Sequence, residues 1–365
     1  MKILFTNANI IKYAQRNKPV VGGSERQQWL IAQALAKRNH ESIIYTFSDN
    51  GNQKDAFEIN GVLFRFTDIK SPIFRWIRML ALEKPDWWYW RGATYYLPVI
   101  VLISHLFNVR VVFASSLDWD CIPKNALYRK AFLWPLYGFG LYLVDKIIVQ
   151  HENQYETLPS RLKKKAKVIK SIQGKLPAAA EERKTHTQPK VTWIGALRET
   201  KRPHLLPTIA QDFPEVNFFV YGRTAGHRTR PEYTEIILHL LKTCKNIKIA
   251  GLVPPEQIPA ILMDSDVLIS TALVEGFPNV FLQAWACKTP VLSLEVDPRN
   301  VINTYNLGFV ALNTKQMKSF LKLLLEDKQL RLFMGNNGVR YIEQYHNENE
   351  IIQTLIEYLE CDGSQ

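Results

Sequence analysis

Residues 267–293 constrain the fold more than any other stretch. Val267-Leu-Ile-Ser270 is a short apolar run with the pattern of a buried strand. Glu275-Gly-Phe-Pro-Asn-Val-Phe-Leu-Gln283-Ala-Trp-Ala-Cys follows, with Pro278 suited to a first helical turn, and then a second apolar run, Pro290-Val-Leu-Ser293. A strand, a helix and a strand at this spacing read as a βαβ unit, which calls for a parallel sheet covered by helices. At the helix start the N–H groups from about Phe277 to Phe281 are expected to lack partners, and with the helix dipole they favour an anion such as a diphosphate. Glu275 stands at the mouth of that turn. Gln283 is slightly more than two helical turns further on, on roughly the same side.

The run from Glu275 to Ala286, with Thr289-Pro-Val behind it, resembles the donor-sugar motif of GT-B glycosyltransferases of the GT4 type (glycosyl transferases group 1). The resemblance implies an α/β fold of two Rossmann-like domains whose parallel sheets face each other across a cleft. It also implies a glutamate facing the transferred sugar, here Glu275, and a second glutamate gripping the ribose. Gln283 occupies that second place, so the ribose contact is neutral, worth ~1 kcal/mol where a charged one gives ~1.5–3 kcal/mol. Gly195-Ala-Leu-Arg198-Glu-Thr-Lys201 resembles the family's Gly-Arg-Leu-x-x-x-Lys loop, whose cations bind the donor diphosphate. Lys201 is in register, and Ala196 stands in place of the arginine, so Arg198 or Arg202 would have to reach in from the same loop. Gly22-Gly23, after the first strand and before a helix from about Glu25 to Arg38, resembles the family's first glycine loop, where the backbone approaches a phosphate or sugar. The donor-binding set implied is thus Gly22, Gly23, Arg198, Lys201, Glu275, Gly276, Phe277, Pro278, Asn279, Val280 and Gln283.

Many members carry a His-Asp pair in the loop that here reads Leu117-Asp118. The histidine is missing, and Asp118 is left as a candidate for binding or activating the acceptor hydroxyl, with capping a turn as its commoner role. His151, just after the strand Lys146–Gln150, is positioned to enter the same region, although a histidine at a strand end is more often structural. The implied catalytic residues are Glu275, Lys201 and Asp118. The donor loops hold no Asp-x-Asp after a strand, so no metal ligand is assigned and activity is expected without a cofactor.

The formal charge of +12 is unevenly placed. Residues 1–172 hold 25 Lys and Arg against 13 Asp and Glu, and the remainder balances at 21 of each, so the first half is the one expected to meet an anionic surface. No helix or finger motif points to nucleic acid, and no G-x-G-x-x-G follows a predicted strand, which leaves a dehydrogenase site unsupported. Cys121, Cys244, Cys287 and Cys361 form no C-x-x-C pair, arguing for a reducing cytoplasm over a disulfide framework or a zinc site. Two greasy segments, Tyr95–Phe107 and Ala131–Val144, are too short to span a bilayer. The second, preceded by Lys124, Arg129 and Lys130, fits core packing and interfacial insertion about equally. Lys163, Lys164, Lys165 and Lys167 are expected to add headgroup attraction, if they are not simply a solvated loop.

The strands Lys2–Phe5, Ser42–Phe47 and Val109–Phe113, a hairpin over 57–66 turning at Asn60-Gly61, and the linker-like composition of 173–189 give the organisation. Residues 1–172 are expected to bind the acceptor and 190–345 the nucleotide-sugar. Residues 346–365 form a C-terminal helix expected to pack back on the first domain. The function so implied is retaining transfer of a sugar from a UDP- or GDP-sugar to a glycan or lipid-linked acceptor in cell-surface polysaccharide or glycolipid synthesis. The expected place is the cytoplasm, peripheral on the inner face of the membrane. A catalytically degenerate nucleotide-sugar-binding subunit and a same-fold epimerase are the alternatives.

Overall fold

The computed structural model describes residues 1–7, 9–15, 22–47, 56–127, 130–174, 188–223 and 231–361. Most of the expected linker and Arg129 lie outside them. The chain divides into two compact units, one from residues 1–15, 24–172 and 348–365, the other from 16–23 and 173–347.

The strands of the first unit are β1 (Lys2–Thr6), β2 (Glu41–Phe47), β3 (Ala56–Ile59), β4 (Val62–Thr67), β5 (Trp87–Arg91), β6 (Arg110–Ala114), β7 (Lys146–Val149) and β8 (Ala166–Val168). They lie in the order β3-β4-β2-β1-β5-β6-β7-β8 and are parallel apart from the edge hairpin β3–β4. Asn60 and Gly61 turn that hairpin at φ 53° and 78°, both positive as a two-residue primed turn demands. The helices are α1 (Ile10–Ala14), α2 (Gly23–Ala36), α3 (Pro72–Glu83), α4 (Leu97–Leu106), α5 (Pro123–Ala126), α6 (Trp134–Leu143), α7 (Glu152–Thr157) and α8 (Ser160–Lys163).

One core joins Ile3, Phe5 and Tyr89 of the sheet to Ala32 and Leu35 of α2 and to Ile352 and Leu355 near the C-terminus. The core on the opposite face joins Leu4, Trp88 and Phe113 to Trp76 of α3, Ile100 of α4 and Tyr137 of α6. The strands are apolar on both sides because both sheet faces are covered.

The second unit holds β9 (Lys190–Ile194), β10 (Asn217–Tyr221), β11 (Ile247–Gly251), β12 (Val267–Ser270), β13 (Val291–Leu294) and β14 (Gly308–Ala311). All pairings are parallel, in the order β11-β10-β9-β12-β13-β14. Its helices are α9 (Leu206–Ala210), α10 (Pro231–Thr243), α11 (Ile258–Met263), α12 (Asn279–Ala286), α13 (Val301–Thr304), α14 (Thr314–Glu326) and α15 (Lys328–Tyr345). Asn313 and Asp327 cap α14 and α15 by accepting from Gln316 and Leu330 N–H groups, each at 2.9 Å. The last helix, α16 (Glu348–Glu360), belongs to the first unit's core.

Candidate functional site

In the second sheet the chain order reverses between β9 and β12. In open α/β sheets ligands collect outside the carboxyl ends of the strands at such a point. Both loops singled out in the sequence end there: Gly195–Lys201 leaves β9, and Thr271–Pro278 leaves β12. They are stitched together. Leu273 N–H donates to Thr200 C=O (2.8 Å), Thr271 Oγ1 donates to Lys201 C=O (2.7 Å), and Trp193 Nε1 donates to Thr271 Oγ1 (3.1 Å). A neighbouring strand end adds Gly222, φ 156°, where a Cβ would overlap Gly195 C=O at 1.6 Å; only glycine lets these two loops touch.

This stitching places the Lys201 ammonium against the Glu275 carboxylate, and the two side chains are only 18% and 11% exposed. Burial first, then the Arg198 guanidinium, push Lys201 down to about 7. Lys201, Arg198 and Glu275 thus share one mostly dry corner at the strand ends. Arg202 does not join them as a free cation. Its residue is left-handed (φ 48°), and its guanidinium donates to the C=O groups of Thr271 (2.8 Å) and Ala272 (3.1 Å) and pairs with Glu295 (3.1 Å). It is a clasp between loops, so among the arginines considered for the missing position only Arg198 lies beside Lys201.

The helix start differs in detail from the sequence expectation. Pro278 is the N-cap and α12 begins at Asn279. The Phe281 N–H is spent on Pro278 C=O (3.0 Å), which removes one of the expected anion donors. Phe277 is buried, its ring 6.3 Å from Trp285 and 5.1 Å from His346, so its side chain serves the core and only its backbone faces the loop. Gly276 and Pro278 are likewise buried, and Asn279, Val280 and Gln283 are half-buried on α12. Because Glu275 precedes the helix, the two-turn spacing does not relate it to Gln283. Gln283 instead lies one turn beyond Asn279, on the same face.

Gly22 and Gly23 group with the second unit and stand where α2 begins; in the first unit β1 and its neighbour β5 mark that sheet's own reversal point. Beyond β6 and β7 lies a polar cluster. Asp118 Oδ1 accepts from His151 Nε2 and from Gln154 Nε2, both at 2.9 Å. Gln154 is fixed by Ser115 Oγ (2.6 Å) and Gln150 N–H (2.8 Å), both donating to its Oε1. A carboxylate only accepts, so His151 Nε2 carries the proton. The imidazole is 4% exposed and Asp118 46%, which leaves the carboxylate as the open end of a buried relay. A histidine does reach Asp118, from the end of β7 and almost fully buried; its place after an apolar strand was the one signal in the sequence. Asp120 completes an Asp-x-Asp spacing with Asp118, but it is buried and accepts from Ser116 N–H (2.6 Å) and Leu117 N–H (3.0 Å). Burial raises its carboxyl to about 6 against those hydrogen bonds.

The basic loop is not a free patch. Lys163 pairs with Glu156 (2.7 Å), Lys167 sits 5.6 Å over the Tyr358 ring, and Lys165 donates to the Tyr142 and Val144 carbonyls at the end of α6. Lys165 is held down at about 8, chiefly by burial.

The family model for glycosyl transferases group 1 matches residues 177–341. These residues are a glycosyl transferases group 1 domain. Glycosyltransferase 1 domain-containing protein 1 of Xenopus tropicalis is 23% identical over 175 residues, 47% of this chain and 51% of that protein. The chain spans about half the length, or less, of the curated relatives it matches. The chain is also similar to solved structures. Sucrose-phosphate synthase from Thermosynechococcus elongatus gives a TM-score of 0.81 at 14% identity over 98% of both chains. Anabaena HepE, solved in complex with UDP and glucose, gives 0.72 at 16% identity over 98% of this chain and 99% of that one. At these identities the likeness establishes the fold, which is GT-B.

Proposed function

We propose that this chain is a retaining glycosyltransferase that moves a sugar from a UDP- or GDP-sugar to a glycan or lipid-linked saccharide, in cell-surface polysaccharide or glycolipid synthesis at the inner face of the membrane. The observation that carries this reading is the meeting of Lys201, Arg198 and Glu275 at the strand reversal of the glycosyl transferases group 1 domain. A nucleoside diphosphate leaving group gathers negative charge as the glycosidic bond breaks, and preorganised cations in a dry corner stabilise that charge. Lys201 and Arg198 supply the charge without a divalent cation, the start of α12 adds backbone donors, and Glu275 orients the sugar while holding the Lys201 proton. Gln283 meets the ribose. Gly22 and Gly23 admit substrate to the backbone, and the exposed Asp118 carboxylate, backed by His151, receives the acceptor hydroxyl. A complex of a structural neighbour with UDP and glucose supports the donor class.

The test is incubation with UDP- and GDP-sugars and a panel of saccharide acceptors in EDTA, with the product's anomeric configuration read by NMR. The reading expects transfer with retention and undiminished rate. An inverted product, nucleotide binding without any turnover, or activity that EDTA abolishes and a divalent ion restores would each overturn the corresponding part.

A further inference from the structure

The helices α3, α4 and α6 cover one face of the first sheet, and each buries one stripe in the same core through Trp76, Ile100 and Tyr137. On such a surface helix the opposite stripe is ordinarily polar. Here it is apolar as well. On α3 it presents Ile73, Phe74, Ile77 and Leu82, and on α4 Leu102 and Leu106. Phe132, just before α6, is followed by Trp134, Leu136, Phe139 and Tyr142 along it. Three of these are more exposed than any core role allows: Leu106 at 82%, Phe132 at 79% and Phe74 at 69%. Scattered exposed apolar side chains are normal, but three neighbouring helices sharing one such face are not.

The charges around this face are predominantly positive. Among the described residues of the three helices the one carboxylate is Glu83, and it is buried in pairs with Arg65 (3.0 Å) and Lys2 (3.6 Å). Beyond the helix ends Asp145 is engaged with His105 (3.1 Å) and Val111 N–H (2.7 Å), and Asp86 with Lys2 N–H (2.7 Å), while Asp68, ahead of α3, is exposed beside Lys70 in the chain. Arg78 and Lys84 are exposed at α3, Lys124 sits 5.7 Å from the Trp134 ring, and Lys130 lies 4.5 Å over Tyr95. A greasy, aromatic surface rimmed by cations matches an anionic lipid surface, whose acyl boundary takes the apolar stripe and whose headgroups take the rim. A second copy of the chain would set these cations against their own kind. No described helix is long and apolar enough to cross a membrane, so contact would be from one side.

We propose that the α3–α4–α6 face is the surface by which this protein docks on an anionic bilayer, inserting Phe74, Leu106 and Phe132 below the headgroups. This rests on the membrane reading given above and replaces the Lys163–Lys167 loop with a defined surface. The experiment is flotation of the full chain with vesicles of equimolar phosphatidylglycerol and phosphatidylcholine, for the native sequence and for the triple variant Phe74→Ser, Leu106→Ser, Phe132→Ser. Melting temperature and UDP affinity are followed as controls, because all three side chains are exposed and none belongs to the donor loops. The native chain is expected to float and the variant to lose binding at least about tenfold, with both controls unchanged. A single substitution, Phe132→Ser, gives the same direction with smaller size if the triple variant melts early. Equal flotation of native and variant chains overturns the face while leaving the membrane reading intact. Failure of the native chain to float overturns both, and a variant that then changes from dimer to monomer in sedimentation assigns the face to a second copy.

Discussion

Raising the pH above about 7 should weaken nucleotide binding through one proton on Lys201. In the empty protein that ammonium is held down to about 7 by burial and by Arg198. A diphosphate beside it restores the proton, so binding takes one up wherever the empty site has lost it. Above its pKa the loss is about tenfold in affinity per pH unit, or about a hundredfold by pH ~9. The ceiling is the worth of a charged hydrogen bond, ~1.5–3 kcal/mol, or about ten- to 150-fold. The two routes agree on roughly 10–100-fold between pH ~7 and ~9. The sign for the empty protein is opposite. Its folded pKa lies below the unfolded ~10.4, the unfolded chain binds more protons between the two, and stability from this group rises with pH across that window. Calorimetric titration of UDP and GDP in buffers of differing ionisation enthalpy reads both affinity and proton uptake. A phosphate monoester has its second pKa near 6, so this window isolates the lysine. Lys201→Arg keeps its charge throughout and should give a level profile. A level profile in the native protein, or an unchanged slope in Lys201→Arg, would refute the argument.

Gln283→Glu should tighten nucleotide binding severalfold by making the ribose contact charged, and unaltered or weaker binding in the same calorimetry would remove Gln283 from the ribose. Asp118→Asn keeps the side chain's size but ends its basicity, so transfer should fall at least about tenfold with UDP affinity unchanged; a parallel loss of UDP affinity would take Asp118 off the acceptor side. His151→Ala should lower transfer in the same way, with the midpoint of urea unfolding as a check that the fold holds. Gly335→Ala puts a Cβ 2.3 Å from Lys288 C=O, forcing α15 away from the chain after α12 and costing ~1–3 kcal/mol of stability; an unshifted urea midpoint would refute that packing.

The sequence by itself determined whatever depends on neighbours along the chain. The apolar runs at 267–270 and 290–293 are strands because two covered sheet faces ask for continuous hydrophobicity, and Asn60-Gly61 is a turn because both residues tolerate positive φ. Lys201 and Glu275 were legible as donor-site candidates through the motifs that hold them, and the fold brings the two side chains together. What only the tertiary structure decided are pairings across distant residues, because a side chain's partner is set by strand order and loop closure, which local periodicity does not encode. Arg202 looked as available as Arg198 until the loop after β12 supplied the carbonyls that clasp it. Lys163, Lys165 and Lys167 read as part of a basic cluster for lipid headgroups or a solvated loop, yet the fold gives them a carboxylate, a helix end and a ring. Asp118 lacked its histidine in sequence, and parallel pairing of β6 with β7 brought His151 to it from 33 residues away.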